Sequence, residues 1–285
     1  MAVKGGIKFL RKRIRAIQNL RKVTRAMKSV SSVRLRRAQP VLQISSEFSK
    51  NMERIFKISY NGETENAEKY FSIKTDSSRK LYIILGSDKG LCGSFNSNIS
   101  KFVQSNINIQ DNSEIWVFGR RLIRILSKKF QIQPYEDFWR DFSYEKFEKV
   151  YNMIEQRIIS GELAEVYCIY TLFKSMGTQV PYIERVFPVS VSLVWEPKRI
   201  FEPSFEEFAR FFIMSYVRSK LFFCFQSSIT SEHAARMRAM DMATQNSERV
   251  QRQLILQMNK ARQEAITKEL IDIVSGKNAL EAQQV

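Results

Sequence analysis

From Ile7 onward, apolar side chains recur at three- and four-residue steps: Ile7, Leu10, Ile14, Ile17, Leu20, Val23, Met27, Val30 and Val33. Such spacing marks one stripe along a helix. The stripe resumes after Pro40 through Val41, Ile44, Phe48, Met52 and Ile55, and no glycine intervenes between Gly6 and Gly62. One helix of about 50 residues is expected, about 75 Å long at the α-helical rise. Pro40 should bend it, because its ring removes a backbone donor and crowds the preceding turn.

At Asn61-Gly62 the pattern gives way to a polar stretch, and 61–79 reads as a linker. Lys80 to Leu85 is a short apolar strand ended by Gly86, and Glu114 to Phe118 is another ended by Gly119. Helical patterns follow near Ser97 to Ser105 and Arg120 to Lys129, with a third from Ser143 to Ser160. Glu165 to Phe173 and Val180 to Val189 make two further strands around Met176-Gly177-Thr178. Strands alternating with helices predict a small, mainly parallel, Rossmann-like α/β domain over 80–200.

Beyond Pro203 the chain runs 72 residues, Ser204 to Ser275, without glycine or proline. Ser204 can cap its start while Glu207 reaches back from three residues on, and Gly276 is the expected stop. Met240, Ala243, Ser247, Val250, Leu254, Met258, Ala261 and Ala265 follow coiled-coil spacing in a seam diluted with small and polar residues. The fold class expected is therefore α/β plus a long α coiled coil, in which antiparallel helices over 1–60 and 201–285 flank the α/β domain. The second helix is longer by about 20 residues, leaving about 30 Å without an intramolecular partner. There Ile266, Leu270, Ile271, Ile273 and Val274 cover about 160° of helix surface, more than a two-helix seam needs. Something outside the chain should enclose that tip.

Composition narrows the function. The chain has 285 residues, 44% of them apolar, enough for a folded core, and its longest oily run, Leu221 to Phe225, is five residues, far too short for a membrane span. Three scattered cysteines, Cys92, Cys168 and Cys224, show neither a disulfide framework nor zinc spacing, and His233 is the one histidine. No phosphate loop, dinucleotide fingerprint or zinc-protease motif is present. Gly90-Leu91-Cys92-Gly93 beside Lys89 could cradle an anion or be a tight strand-to-helix turn. The net charge of +17 is concentrated: residues 1–57 carry 16 basic and 2 acidic side chains. That basic stripe suits nucleic acid, a cleaved mitochondrial presequence, or a shaft passing acidic loops of a protein partner, and composition alone leaves the three open.

The words written in the terminal segments separate them. Arg21-Lys22-Val23-Thr24-Arg25-Ala26-Met27-Lys28-Ser29-Val30, with Arg34 to Gln39, resembles the N-terminal helix of the gamma subunits of rotary F-type ATP synthases. Ser231-Glu232-His233-Ala234-Ala235-Arg236-Met237-Arg238-Ala239-Met240, Asn259-Lys260-Ala261-Arg262-Gln263, and Ile266 to Leu270 with Ile273-Val274-Ser275-Gly276 resemble the C-terminal helix of that family. Ser87 to Asn96 looks like its strand-to-helix turn, and the similarity spans nearly the whole chain.

The resemblance implies a non-catalytic central rotor shaft with no cofactor, turning within three alpha and three beta subunits and meeting epsilon and the membrane c-ring below. It implies a peripheral protein on the cytoplasmic face of a bacterial plasma membrane. Met27, Arg236, Arg262, Gln263, Thr267 and Glu269 match positions that contact beta subunits or join the helices, and Arg11, Arg13, Lys22 and Arg25 would face acidic loops. Under it the N-terminal helix is mature protein rather than a presequence. Departures are Pro40, Ser31 and Ser32 where small apolar residues are usual, and the missing paired-cysteine insert of the chloroplast type. Length and the lack of a transit segment favour a bacterial source.

Overall fold

The computed structural model describes residues 2–59, 77–107, 113–189 and 205–281. The polar stretch over 60–76 and the cap at Ser204 lie outside them. In chain order the elements are α1 (Ala2–Ser59), β1 (Lys80–Leu85), α2 (Phe95–Asn106), β2 (Ser113–Phe118), α3 (Arg120–Leu126), β3 (Gln133–Tyr135), α4 (Tyr144–Ile159), β4 (Glu165–Phe173), β5 (Gln179–Phe187) and α5 (Phe205–Glu281). Packing divides the chain into a helical unit, Met1–Val30 with Ala239–Val285, and an α/β unit, Ser31–Arg238.

The α/β unit is built on one five-stranded sheet of order β3-β2-β1-β4-β5. β1 pairs in parallel with β2 and β4, β2 in parallel with β3, and β5 closes the far edge as an antiparallel hairpin with β4. Alternation along β1 sends its side chains to two separate cores. Leu81, Ile83 and Leu85 join α4, Met52 of α1 and the first turns of α5, where Phe118, Phe147, Tyr151, Tyr170, Phe187 and Phe225 are fully buried. Tyr82 and Ile84 join α2 and α3 through Ile99, Val103, Leu122 and Leu126. A central strand covered on both faces explains why Lys80 to Leu85 reads as a continuous apolar run rather than an alternating one. β3, only three residues long and containing Pro134, is the element the periodicity misses.

Gly119 is needed where β2 turns into α3. Its φ is 105°, and a Cβ there would stand 2.7 Å from the backbone of Gly86 and Ser87. Two strand ends meet at that point with no room for a side chain. At the start of α4, Ser143 accepts a hydrogen bond from the Lys146 amide at 3.3 Å and so caps the helix.

In the helical unit the two segments are antiparallel. Arg21 meets Glu248 at 3.8 Å, Thr24 and Thr244 hydroxyls bond at 2.9 Å, and Lys28 meets Asp241 at 2.5 Å, so one numbering rises as the other falls. Carried to the start of α1, this register ends near Thr267, and every described side chain from Ile266 to Ser275 is exposed. The α5 seam is as expected: Met240, Ser247 and Leu254 are buried, and Ala243, Val250, Met258, Ala261 and Ala265 are half-buried.

The α1 stripe is met only in part: Ile14 and Met52 are buried and Ile7, Leu10, Ile17 and Met27 half-buried. Leu20, Val23, Val30, Val33, Val41, Ile44, Phe48 and Ile55 are all exposed, while the buried positions are Ile14, Thr24, Ser31, Leu35, Leu42, Ser45, Ser49 and Met52. The physical reason is period. Thr24, Ser31, Ser45 and Met52 are whole heptads apart, as are Ile14, Leu35, Leu42 and Ser49, whereas the apolar row steps by three more often than by four and drifts around the helix. Small hydroxyl side chains let two helices approach closely and satisfy themselves on the helix backbone, as Thr24 does on Arg21 and Ser45 on Leu42. Two further expectations change: α1 continues unbroken through Pro40, and α5 passes Gly276 to Glu281 instead of stopping.

Candidate functional site

A sheet with this strand order has its topological switch between β1 and β4, and open α/β sheets take ligands in the crevice beyond the carboxyl ends of such strands. Here α5 lies across it. The Ser228 hydroxyl reaches the carbonyl of Leu85 at 3.5 Å; those of Ser227 and Ser231 donate to the carbonyl of Thr171 at 3.2 and 3.0 Å. The Phe173 amide donates back to the Ser227 hydroxyl at 3.0 Å. Three hydroxyls of one helix thus take the backbone groups that a ligand would otherwise meet.

The Ser87 to Gly93 turn is likewise committed to its own chain. Asn96 accepts from the Ser87 amide at 3.0 Å and donates to its hydroxyl at 2.8 Å, while Asp88 accepts the amides of Arg120 and Trp139, each at 3.0 Å. Arg236 of α5, only 6% exposed, directs its guanidinium to the carbonyls of Lys89 and Gly90, both at 3.2 Å, and to Glu232 one helical turn back. Leu91 stands in the left-handed region at φ 63° and is exposed, a strained conformation that these braces hold. With carbonyls turned to an arginine, the loop is a tight turn braced by a cation rather than an anion cradle.

Burial governs the charges near that brace. Desolvation raises the Glu232 carboxyl, opposed by Arg236. Desolvation also lowers His233 to about 4, helped by Arg236 and Arg34. His233 is therefore a neutral, packed imidazole at neutral pH. Cys92 and Cys168 are pushed upward by burial, and all three thiols are buried and free. Among the described residues no cluster of His, Cys, Asp and Glu could hold a metal.

The expected contact residues fall into three settings. In the helical unit Arg11, Arg13, Lys22 and Arg25 are exposed along α1, and Met27 is half-buried beside the seam. Arg262, Gln263, Thr267 and Glu269 are exposed on α5, next to the apolar tip of Ile266, Leu270, Ile271, Ile273 and Val274, which are 50–68% exposed. Arg236 belongs to the α/β unit and is consumed by the turn. Sequence reasoning missed this brace because its partners are backbone carbonyls some 146 residues away. It also missed the hydroxyls of Ser227, Ser228 and Ser231, whose clustering on an otherwise apolar helix was the available signal.

Exposed apolar and basic faces in the helical unit, and a switch-point crevice filled by hydroxyls in the α/β unit, describe an assembly component. The family model of the ATP synthase matches residues 6–280. An ATP synthase gamma chain of Geotalea uraniireducens strain Rf4 is 31% identical over 284 residues, covering 96% of this chain and 98% of that one. The chain belongs to the ATP synthase gamma chain family. A gamma chain of Flavobacterium johnsoniae is 30% identical with the same coverage. In fold, the chain resembles the solved structure of the Euglena gracilis mitochondrial ATP synthase OSCP/F1/c-ring assembly in one rotational state, with TM-score 0.68 at 15% identity over 99% of this chain and 96% of the other. A rotor structure from the same organism gives TM-score 0.63 at 16% identity, over 92% and 99%. Membership accounts for features that puzzle in a single chain: a long helix with a bare tip, and a first helix whose Arg11, Arg13, Lys22 and Arg25 are exposed.

Proposed function

We propose that this chain is the central rotor shaft of an F-type ATP synthase, coupling ion-driven rotation of a membrane c-ring to synthesis or hydrolysis of ATP on beta subunits. The observation that carries the reading is the C-terminal end of α5: five large apolar side chains, each 50–68% exposed, on a stretch of helix with no buried position. An apolar row of that width is stable in water only if something encloses it. The ring of three alpha and three beta subunits expected from the family supplies the enclosure. A shaft without threefold symmetry meets three equivalent beta subunits differently, biasing each toward a different nucleotide state, and turning it cycles those states.

The chain itself performs no bond chemistry under this reading, which the hydroxyl-filled crevice supports. Segments 1–60 and 201–285 act as shaft and 80–200 as its base, in contact with epsilon and the c-ring, with 61–79 linking them. Arg262, Gln263, Thr267 and Glu269 contact a beta-subunit loop, and Arg11, Arg13, Lys22 and Arg25 face acidic loops. Met27 lies close enough to that path for a new charge there to disturb coupling. Arg236 acts as an internal brace. The complex sits on the cytoplasmic face of a bacterial plasma membrane, a placement supported by the bacterial relatives; no helix among the described residues is long and apolar enough to cross a membrane. No observation favours a nucleic-acid partner.

Purification of the native complex tests the reading. Alpha and beta subunits should co-elute with this chain through high salt, and the isolated chain should neither bind nor hydrolyse ATP at micromolar concentration. A chain that elutes alone, or with nucleic acid lost at high salt, overturns it. For the contacts, Arg262→Ala with Gln263→Ala should slow ATP turnover by the assembled complex without loss of helicity in the free chain, since Ala favours helix. Wild-type turnover would make those residues a solvated face.

A further inference from the structure

In the α/β unit, the hairpin of β4 and β5 reaches beyond the rest of the sheet. β1 pairs with β4 only as far as Ile84 and Ile169, while β4 runs on to Phe173 and turns through 174–178 into β5. On the edge that β1 no longer covers, the carbonyl of Thr171 and the amide of Phe173 need partners. α5 stands in for the missing strand: Ser227 and Ser231 donate to the carbonyl, and Ser227 accepts from the amide. Further along α5, Arg238 donates to the carbonyl of Gly177 at the hairpin tip. That tip is held in shape by its own bonds. The Thr178 amide donates to the carbonyl and the hydroxyl of Ser175 at 3.2 and 3.1 Å, and Gln179 Nε2 reaches the carbonyls of Ser175 and Met176, both at 2.9 Å.

The placement of these ties around α5 gives them a common purpose. At about 100° per residue, Ser227, Ser231 and Arg238 fall within about 40° of one line and span about 16 Å of helix. Arg236, on the carbonyls of Lys89 and Gly90, lies about 140–180° from them. The hairpin and the Ser87 to Gly93 turn thus grip α5 from opposite sides. Apolar packing beneath a helix resists its removal but permits small sliding and rolling steps. Hydrogen bonds to backbone groups on two sides oppose that roll, because turning the helix stretches or bends all of them.

We propose that Ser227, Ser231 and Arg238 are positioning residues that lock α5 to the β4–β5 hairpin, making the hairpin the lever that carries twist between the sheet and α5. The inference deepens the shaft reading and rests on it, since roll of α5 bears on ATP turnover only if the helix is a shaft.

The test uses the assembled complex. Arg238 and the hairpin tip are exposed, so both can be changed without disturbing the core. Arg238→Met with Ser231→Ala should leave alpha and beta bound and ATP hydrolysis in uncoupled membranes at the wild-type rate. In sealed vesicles the same variant should pump fewer ions per ATP hydrolysed, by about twofold or more. A second variant, Gly177→Cys with Arg238→Cys, should show the same loss and recover when the two thiols are joined by a short bismaleimide. A Cβ at Gly177 meets nothing nearer than Ser175 Oγ at 3.9 Å, and the native thiols are buried. Wild-type pumping per ATP in the first variant overturns the proposal, as does a cross-link that restores nothing. Equal losses of hydrolysis and pumping, or release of alpha and beta by either variant, also overturn it, because they mark a merely structural role. Failure of alpha and beta to co-elute with the unmodified chain sinks the shaft reading and this inference with it, and is seen before any variant is made.

Discussion

The interior of the α/β unit and the seam of the helical unit are made of different materials. One is aromatic and aliphatic: Phe118, Phe138, Trp139, Phe142 and Phe225 form a continuous set of ring contacts, at centroid distances from 4.8 to 6.3 Å. The other is held by a hydroxyl pair, two ion pairs more than a third exposed on at least one side, and a few side chains the size of Leu254. Burying a large apolar side chain contributes about 1.5–3 kcal/mol, a typical hydrogen bond about 1 and an exposed ion pair less. The α/β unit therefore has the means to fold by itself, while the helix pair draws little stability from its seam and depends on helix propensity and on enclosure from outside.

Core truncation is the severest test of that contrast. Phe225→Ala removes a ring that touches five other aromatic residues and should cost about 3–5 kcal/mol, read as a loss of the near-ultraviolet signal and a lower urea midpoint. Leu254→Ala in the seam should cost less than half as much. Comparable losses would mean that the two regions are not so different.

Next comes pH. His233 is depressed to about 4 from an ordinary 6.5, chiefly by burial and further by Arg236 and Arg34. The unfolded chain thus binds the proton first as pH falls. The imidazole's contribution is complete above pH 6.5 and is lost as pH drops toward 4, by up to about 3 kcal/mol. Glu232, raised by its burial, runs the opposite way above its ordinary range, so wild-type unfolding curves mix the two. Subtracting the curves of His233→Gln isolates the imidazole, and a flat difference from pH 7 to 4 would refute the assignment.

A smaller effect is expected in the seam. Thr24→Val with Thr244→Val replaces both members of a buried hydroxyl pair by isosteric apolar groups, so neither is left unsatisfied. The change in stability should stay within about 1 kcal/mol and be stabilising if anything, whereas Thr24→Val alone should destabilise. Smallest of all, Leu270→Gln with Ile271→Gln should alter the melting of the isolated chain by under about 0.5 kcal/mol, yet weaken assembly with alpha and beta subunits. A large loss in the free chain would show that the tip is already packed.

Much of the fold was legible because strand periodicity is local. Lys80 to Leu85 and Glu165 to Phe173 match β1 and β4 residue for residue, and the α5 seam follows from spacing alone. The face of α1 was misread because apolar character and burial part company there, and a hydroxyl at a heptad position carries no hydrophobic signal. Gly276 does not stop α5, since a lone glycine costs a helix only about 1 kcal/mol. The brace at Arg236 and the filled crevice depend on contacts made across the chain, which periodicity does not register. The family words did not distinguish an arginine that holds a turn, as Arg236 does on the carbonyls of Lys89 and Gly90, from one left exposed, as Arg262 is.

The bare end of α5 also bears on how much of this chain a cell can safely make. Ile266, Leu270, Ile271, Ile273 and Val274 leave each new molecule adhesive until its ring closes around it. Surplus copies would display the apolar signal by which chaperones and proteases recognise unassembled chains. Matched production of the partner subunits is then a solubility requirement of this one, and overexpression alone should yield aggregates or chaperone complexes.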